Sequence, residues 1–455
     1  MKAHPTIEQL AVWGHAQINM SQRLRQHAVK TIWMDSRKIA PGDVFLALST
    51  KSNDGHNYVE EAFQSGAAAA IVDAKKADRF PLRLKSKLLL TKDPLQAVSR
   101  MAREYRRELG IPVVAVTGSN GKTTTRHFIA ALLNGKMSVG ETYSNWNNEI
   151  GVPLSILRFS RRDKIAIMEL AANHAGEIYE LSRISRPDIG VITNIGYAHI
   201  GMFRTLTNTT KTKFEITAGM SKRKGMLLLN GDDRRLVRGA QEYGYRTVFF
   251  GYSRRCAIRV TDEQVCDDGR MSFTVDNYKY CLRMPGRHFI YSALPAIYLA
   301  RQHGITQKNI ADTLYGLEPD PLRGRIRIKN DVTFIVDCYN ANPSSMRSSI
   351  ALLRSLAKNR VSAAVIGDMK ELGTHAKRLH KQLGRELAKA GIQKLITVGE
   401  YAQTVAEAAS GVRRIETASD NRQALDMARS LFTSGDIVLL KGSRAVKLES
   451  VYEEY

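Results

Sequence analysis

A chain of 455 residues is too long for one ordinary hydrophobic core, so about three domains are expected, and an apolar share of 43% with 25% charged residues is that of a soluble globular protein. No run approaches the roughly 18 apolar residues of a membrane span, the N-terminus has no apolar run suited to a signal peptide, and Cys256, Cys266, Cys281 and Cys338 show no CxxC spacing, so a cytoplasmic protein without a disulfide framework or zinc site is expected. The formal net charge of +24 favours anionic partners, but the cations are scattered and neither a nucleic-acid module nor a basic–aromatic stripe accompanies them, so polyanionic phosphate substrates are expected rather than nucleic acid.

The first hundred residues mix short strand-like runs, VFLAL at 44–48, AAAAIV at 67–72 and LLL at 88–90, with turn signals such as Pro41-Gly42-Asp43. A helix follows with Leu95, Val98, Met101, Ala102 and Tyr105 on one apolar face, and it ends at Gly110-Ile111-Pro112. VVAV at 113–116 reads as a buried strand leading through GSNGKTTT into the helical pattern HFIAALLN. IAIMEL at 165–170 and IGVITNI at 189–195 are further buried strands with helical stretches between them, which favours a parallel sheet with crossover helices. Residues 245–285 read as antiparallel, with alternating runs around Asp268-Gly269 and Asp276-Asn277, before a helix from about 288 to 302. From Arg325 a second strand–helix alternation begins, with strands in TFIVDCY, AAVIGD, KLITVG and DIVLLKG, and it suggests a separate nucleotide-binding α/β domain. There is no internal repeat or low-complexity linker, and the expected division is 1–109, 110–321 and 322–455.

The strongest local motif is Thr117-Gly118-Ser119-Asn120-Gly121-Lys122-Thr123-Thr124. Glycines let the backbone turn tightly, so that N–H groups can face phosphate oxygens, and the helix N-terminus that follows adds partial positive charge. Lys122 can then neutralise the β- and γ-phosphates of a nucleotide, and the Thr123 hydroxyl can ligate Mg²⁺. The usual phosphate loop has four residues between its glycines, and here there are two. A glycine turn with a chance Lys-Thr pair is the bland alternative, and the order strand, loop, helix favours the phosphate loop. Downstream, Glu169 and His199 each fall at the end of a buried strand, where open α/β sheets place ligand-binding groups. On spacing alone His199 reads better as a capping or packing residue, and nothing in composition singles out Lys213 from Lys211.

Several blocks in order resemble the Mur ligases over nearly the whole chain: DSRKIAPGDVFLAL (35–48), DGHNYVEEAFQSGAAAAIV (54–72), VTGSNGKTTT (116–125), NWNNEIGVPLSILR (145–158), ELAANHAGEI (169–178), the AH pair at 198–199, PGRH (285–288), DCYNANPSSM (337–346), GDMKELG (367–373) and KGSR (441–444). The shortened phosphate loop is the form this family uses. The resemblance implies a three-domain α/β architecture: an N-terminal domain for the UDP end of the substrate, a central P-loop ATPase-like parallel-sheet domain and a C-terminal Rossmann-like domain. It implies an ATP-dependent, Mg²⁺-requiring ligase joining the terminal carboxylate of a UDP-muramoyl-tripeptide to the amine of D-Ala-D-Ala in peptidoglycan precursor synthesis, working as a monomer. By position it implies that Thr123, Glu169, His199 and Lys213 hold metal, with Lys213 carrying a CO₂-derived carbamate. Asn147, Asn148, Asn173 and His174 match positions near the reacting substrate, and Asp35, Ser36 and Arg37 match the UDP-side domain. Arg325, Asp337, Tyr339, Asn340 and Asn342 match groups that close over ATP. The sequence departs from the family pattern at Phe289 and Ser292, where asparagines usually stand near the adenine, at Ser49-Thr50 in the UDP-side loop, and at Phe214 beside Lys213. Two rivals stay open: a sibling ligase that adds a single amino acid or serves a specialised pathway, and a non-catalytic nucleotide-dependent protein that docks on polyanions.

Overall fold

The computed structural model describes residues 4–266 and 269–455, so the turn expected at Asp268-Gly269 begins outside the described residues. The chain folds as two compact units. One comprises the residues up to Thr117 with Leu133–Val191 and Phe214–Leu227, and the other comprises Gly118–Leu132, Ile192–Lys213 and Leu228–Tyr455.

In the first unit, the apolar runs read from the sequence become the strands Val44–Leu46, Ala69–Asp73 and Leu88–Thr91 of a five-stranded sheet. These three are parallel, joined on one side by Ile32–Trp33 and closed on the other by the antiparallel Gln17–Ile18. The helix Pro94–Leu109 is set by its ends. Asp93 accepts a hydrogen bond from the Gln96 N–H, Pro94 occupies the first turn, and Gly110 takes the left-handed conformation that stops it. Its buried face holds Val98, Met101, Ala102 and Tyr105, while the Tyr105 hydroxyl donates to the Phe159 carbonyl at 2.7 Å. The same unit contains Val113–Thr117 and Ile165–Glu169, paired in parallel with Val116 opposite Glu169, and Val139–Glu141 on the far side of the latter. Parallel pairing buries both faces of these strands, which is why they read as continuous apolar runs.

In the second unit, the strands Arg246–Gly251, Ile258–Val265, Met271–Val275 and Tyr278–Leu282 are neighbours in that order. The antiparallel reading of residues 245–285 needs correction at its start, because Arg246–Gly251 meets Ile258–Val265 in parallel over two residue pairs. The reason lies outside the segment: the Asp232 carboxylate accepts the N–H groups of Tyr252 and Ser253, and with Gly251 at φ +142° the chain leaves the strand there before re-entering the sheet in the same direction at Ile258. From Val260 the pairing is antiparallel, and Asp276 and Asn277, both at positive φ, form the two-residue turn of the last hairpin.

The C-terminal part of this unit is a six-stranded sheet in the order Arg325–Lys329, Val332–Val336, Ile437–Lys441, Ser362–Gly367, Lys394–Val398, Arg414–Ala418. All are parallel except the first, which returns through Asn330 and Asp331 at positive φ. The edge strands Arg325–Lys329 and Arg414–Ala418 are rich in exposed polar positions, so their sequences lack the apolar run that revealed the other four. One sheet face packs on the helices Pro343–Ala357 and Ala376–Lys389, the other on Asn421–Leu431 and Glu449–Glu454. Among the described residues no helix is long and apolar enough to cross a membrane, and the four cysteines are free thiols.

The helix Ala376–Lys389 crosses Ala402–Ala408 at Gly384, where an added Cβ would sit 2.3 Å from the Val405 carbonyl oxygen. Backbone cannot yield as a side chain does, so Gly384→Ala is expected to cost about 1–3 kcal/mol, read as a lower urea midpoint with an unchanged m-value.

Candidate active site

The phosphate loop is shaped by two glycines and by a neighbour. Gly118 and Gly121 adopt φ of +142° and +78°, and a Cβ on Gly118 would lie 1.9 Å from Thr193 Oγ1. Asn194 holds the loop twice: its carbonyl accepts the Ser119 N–H and its side-chain oxygen accepts the Asn120 N–H, both at 3.0 Å. Thr193 Oγ1 and Asn194 Nδ2 donate to the Asn120 carbonyl at 2.6 and 3.1 Å, and Gly196 N–H donates to Ser119 Oγ at 2.7 Å. With the Ser119 and Asn120 amides turned to Asn194, the loop's offer to an anion falls to Gly121 and the start of the helix Lys122–Asn134. Lys122 folds back so that Nζ donates to the Gly118 carbonyl at 3.0 Å, and Thr123 and Thr124 are half-buried beside it.

The DCYNAN segment reaches this loop. Asn342 Nδ2 donates to Asn120 Oδ1 at 2.7 Å while Asn342 Oδ1 caps the helix Pro343–Ala357 through the N–H groups of Ser344 and Ser345. The buried Lys441 and the half-buried Asp337 form an ion pair of 2.5 Å; Ser349 Oγ also donates to Asp337, and Lys441 Nζ donates to the Asn340 carbonyl at 3.2 Å. Burial pushes the Asp337 carboxyl up, but the charge and hydrogen bond of Lys441 outweigh it and hold it below the usual carboxylate range. Tyr339 lies 3.7 Å beneath the Arg323 guanidinium, and Arg325 pairs with Glu318 at 3.0 Å.

His199, at φ +55°, places Nδ1 2.7 Å from Glu371 Oε2. The two segments are locked by backbone as well: Gly201 N–H donates to the Glu371 carbonyl, and a Cβ on Gly201 would meet Gly373 N at 2.6 Å. The hydrogen bond from His199 lowers the Glu371 carboxyl, burial opposes it, and the charge of Lys122 adds to the lowering. Lys211 and Lys213, equivalent in composition, are separated by the fold. Lys211 is exposed, whereas Lys213 is 2% exposed with Nζ 5.4 Å from the Phe203 ring.

The remaining candidates stand in the first unit. Glu169 is 1% exposed at its strand end, where Asn147 Nδ2 donates to Oε1 at 2.8 Å and Thr142 Oγ1 accepts the Glu169 N–H at 2.9 Å. Asn148 accepts the N–H groups of Ile150 and Gly151 and so starts the helix Gly151–Arg158. Glu177 organises the next loop, taking the Asn173 N–H and pairing with His174 Nδ1, each at 2.8 Å. Asp35 and Arg37 pair with each other at an exposed surface, while the buried Ser36 donates to Glu61 at 3.0 Å. Among the described residues no three His, Cys, Asp or Glu side chains gather as a metal cage.

Three family models match the chain in order: "Mur ligase family, catalytic domain" over residues 28–115, "Mur ligase middle domain" over 116–300, and "Mur ligase, glutamate ligase domain" over 324–444. The UDP-N-acetylmuramoyl-tripeptide–D-alanyl-D-alanine ligase of Bacillus subtilis (strain 168) is 33% identical over 435 residues, covering 94% of this chain and 93% of its own length. The enzyme of the same name from Escherichia coli (strain K12) is 32% identical, covering 92% and 91%. The chain belongs to the Mur ligase family. Two solved Mur ligases share its fold: MurF from Acinetobacter baumannii, with a TM-score of 0.86 at 27% identity over 100% of this chain and 99% of that one, and MurF from Thermotoga maritima in complex with ADP, with a TM-score of 0.80 at 28% identity over 93% and 96%.

Some residues that organise this Mur ligase's site were not singled out from sequence. Glu371 and Lys441 lie inside the blocks GDMKELG and KGSR, but their partners, His199 and Asp337, are more than a hundred positions away. Arg158 is another: its guanidinium lies 4.7, 4.2 and 5.7 Å from the rings of Trp33, Tyr143 and Trp146. The local signal was the aromatic density of the Tyr143 and Trp146 segment, without spacing that would indicate an arginine.

Lys441→Met strands the Asp337 carboxylate and is expected to cost about 3 kcal/mol. Because the Asp337 pKa is depressed, its stabilisation is present above the ordinary carboxylate value and is lost as pH falls through the folded value. Denaturant melts below about pH 4 should therefore show a steeper acid loss in the native chain than in Lys441→Met; parallel curves would refute the pairing.

Proposed function

We propose that this Mur ligase uses Mg-ATP to join a UDP-muramoyl-tripeptide to D-Ala-D-Ala in peptidoglycan precursor synthesis. The terminal carboxylate oxygen of the tripeptide attacks the γ-phosphorus, the bond to the β–γ bridging oxygen breaks, and ADP leaves an acyl phosphate. The D-Ala-D-Ala amine then attacks the acyl carbon, the tetrahedral intermediate expels phosphate, and the amine proton passes to solvent, leaving the amide. The observation that carries this reading is the braced phosphate loop with Asn342 laid on it, in a chain that aligns over more than nine-tenths of its length with relatives named for this reaction. The ADP complex of the Thermotoga maritima protein supports ATP as the nucleotide.

Each residue then has a task in positioning or charge stabilisation, which dominate phosphoryl transfer. Thr117, Gly118, Ser119, Asn120 and Gly121 form the loop, and Lys122, Thr123 and Thr124 receive the phosphates. Arg325, Asp337, Tyr339, Asn340 and Asn342 complete the nucleotide site. Asn147, Asn148, Asn173 and His174 orient the reacting end of the substrate, and Asp35, Ser36 and Arg37 serve its UDP end. A Mg²⁺ would draw on Thr123, Glu169, His199 and Lys213 and would neutralise phosphate charge. The chemistry of these donors fits: Glu169 is a buried carboxylate, and His199 engages Glu371 through Nδ1, so that Nε2 is the ring nitrogen left for a metal. Lys213 joins such a set only as a carbamate, which turns a buried amine into a two-oxygen anion. We place the domain boundaries near 109 and 321 and expect a cytoplasmic monomer.

Substrate omission tests the reaction: ADP release should require both UDP-muramoyl-tripeptide and D-Ala-D-Ala, and release with a single amino acid in place of the dipeptide would reassign the acceptor. Lys122→Ala should lower turnover by at least about a thousandfold, the range for removing a main phosphate-stabilising charge, with an unchanged thermal midpoint; full activity would sink the loop's role. Lys213→Ala should be inactive and regain part of its turnover with added short carboxylic acids, whereas absence of rescue would count against the carbamate.

A further inference from the structure

The charge of this chain is not spread evenly over its C-terminal sheet. The helices on one face, Pro343–Ala357, Ala376–Lys389 and Ala402–Ala408, carry seven Lys or Arg against two acidic residues, while Asn421–Leu431 and Glu449–Glu454 on the other face carry two against four. The sidedness is sharpest on Ala376–Lys389. Lys377, Lys381, Arg385 and Lys389 recur every fourth residue and are all exposed, with Arg378 beside them. They form a ridge about 18 Å long at 1.5 Å per residue, slanting around the helix by about 40° at each step. Among the described residues none of the five cations has an ion-pair partner, and the one acid on the helix, Glu386, is taken by Arg347 and Gln382.

This arrangement works against the helix itself. Like charges four residues apart repel, and Lys377 and Arg378 stand in the first turn, where the helix dipole disfavours cations. Leu379, Leu383 and Leu387 already bury the apolar face, so the ridge adds nothing to the core. We propose that this face docks reversibly on an anionic phospholipid bilayer, by charge alone and without insertion. A bilayer is the favoured occupant because the ridge is a row of exposed side chains on the outside of a helix, has three Lys among its four members, and is accompanied by no Phe, Tyr or Trp on either Pro343–Ala357 or Ala376–Lys389. Single-stranded nucleic acid sites use aromatic platforms in a groove, and arginine is the residue of choice for forked phosphate recognition.

Sedimentation of the full chain with vesicles tests this. Vesicles of mixed phosphatidylglycerol and phosphatidylcholine should bind it, phosphatidylcholine alone should not, and added salt should release it. The double variant Lys381→Glu, Arg385→Glu should lose at least about tenfold in partitioning. The variant Arg422→Glu, Arg429→Glu, with the same change in net charge on the opposite face, should lose far less. ATP-dependent turnover and thermal midpoints, measured on all three proteins, confirm that each is folded, and Lys381→Gln, Arg385→Gln replaces the ridge variant if it is not. No binding to the anionic vesicles, equal loss in both variants, or release from vesicles by an oligonucleotide whose own binding depends on the ridge would each overturn the proposal.

Discussion

Asn194 constrains two successive residues of the phosphate loop, using its backbone carbonyl for Ser119 and its side chain for Asn120. The glycines at 118 and 121 permit the turn, but permission is not a fixed shape, since glycine gains its freedom at an entropic cost. The bonds from Thr193, Asn194 and Gly196 supply the fixing. They come from the segment just after the strand Ile189–Ile192, so the loop is held at the point where open α/β sheets bind ligands. Asn342 depends on this in turn, because its amide can meet Asn120 only if the loop is already set.

Two buried lysines show how the same residue type is stabilised in different ways. Lys441 is compensated in place by Asp337 and the Asn340 carbonyl, and the pair anchors the segment that carries Tyr339 and Asn342. A buried ion pair contributes little net stability, but breaking it is expensive, so it acts as a geometric pin. Lys213 sits against an aromatic ring, and Phe214, in the place of the family's usual glycine, is also fully buried. Lys211, two residues earlier, is exposed.

Most of the fold could be read from the residues because parallel strands buried on both faces leave uninterrupted apolar runs, as at Val113–Thr117 and Ile437–Lys441. The edge strands Arg325–Lys329 and Arg414–Ala418 leave no such trace. The two parallel residue pairs that join Phe250-Gly251 to Ile258-Arg259 depend on Asp232, a side chain outside the segment, so local pattern pointed to the wrong direction. The site divides along the same line. The phosphate loop is contiguous and legible. His199 with Glu371, Asp337 with Lys441, and Arg158 among Trp33, Tyr143 and Trp146 are each pairings made by tertiary structure, and only family blocks hinted that these segments matter.

The departures at Phe289 and Ser292 take on a physical meaning in this packing. Both are buried, at 2% and 4% exposure. Ser292 Oγ donates back to the His288 carbonyl at 3.2 Å and lies 3.4 Å from where a Cβ on Gly121 would be. It therefore packs against the bare face of the second loop glycine, and a longer side chain there would press on the turn. Phe289 fills space beside Gly324, whose Cβ would lie 3.7 Å from its ring. At both positions a buried amide would demand hydrogen-bond partners or incur a desolvation cost. A hydroxyl bonded to its own helix and an apolar ring demand none. The substitutions thus exchange polar groups for packing, Ser292 beside the phosphate loop and Phe289 beside Gly324.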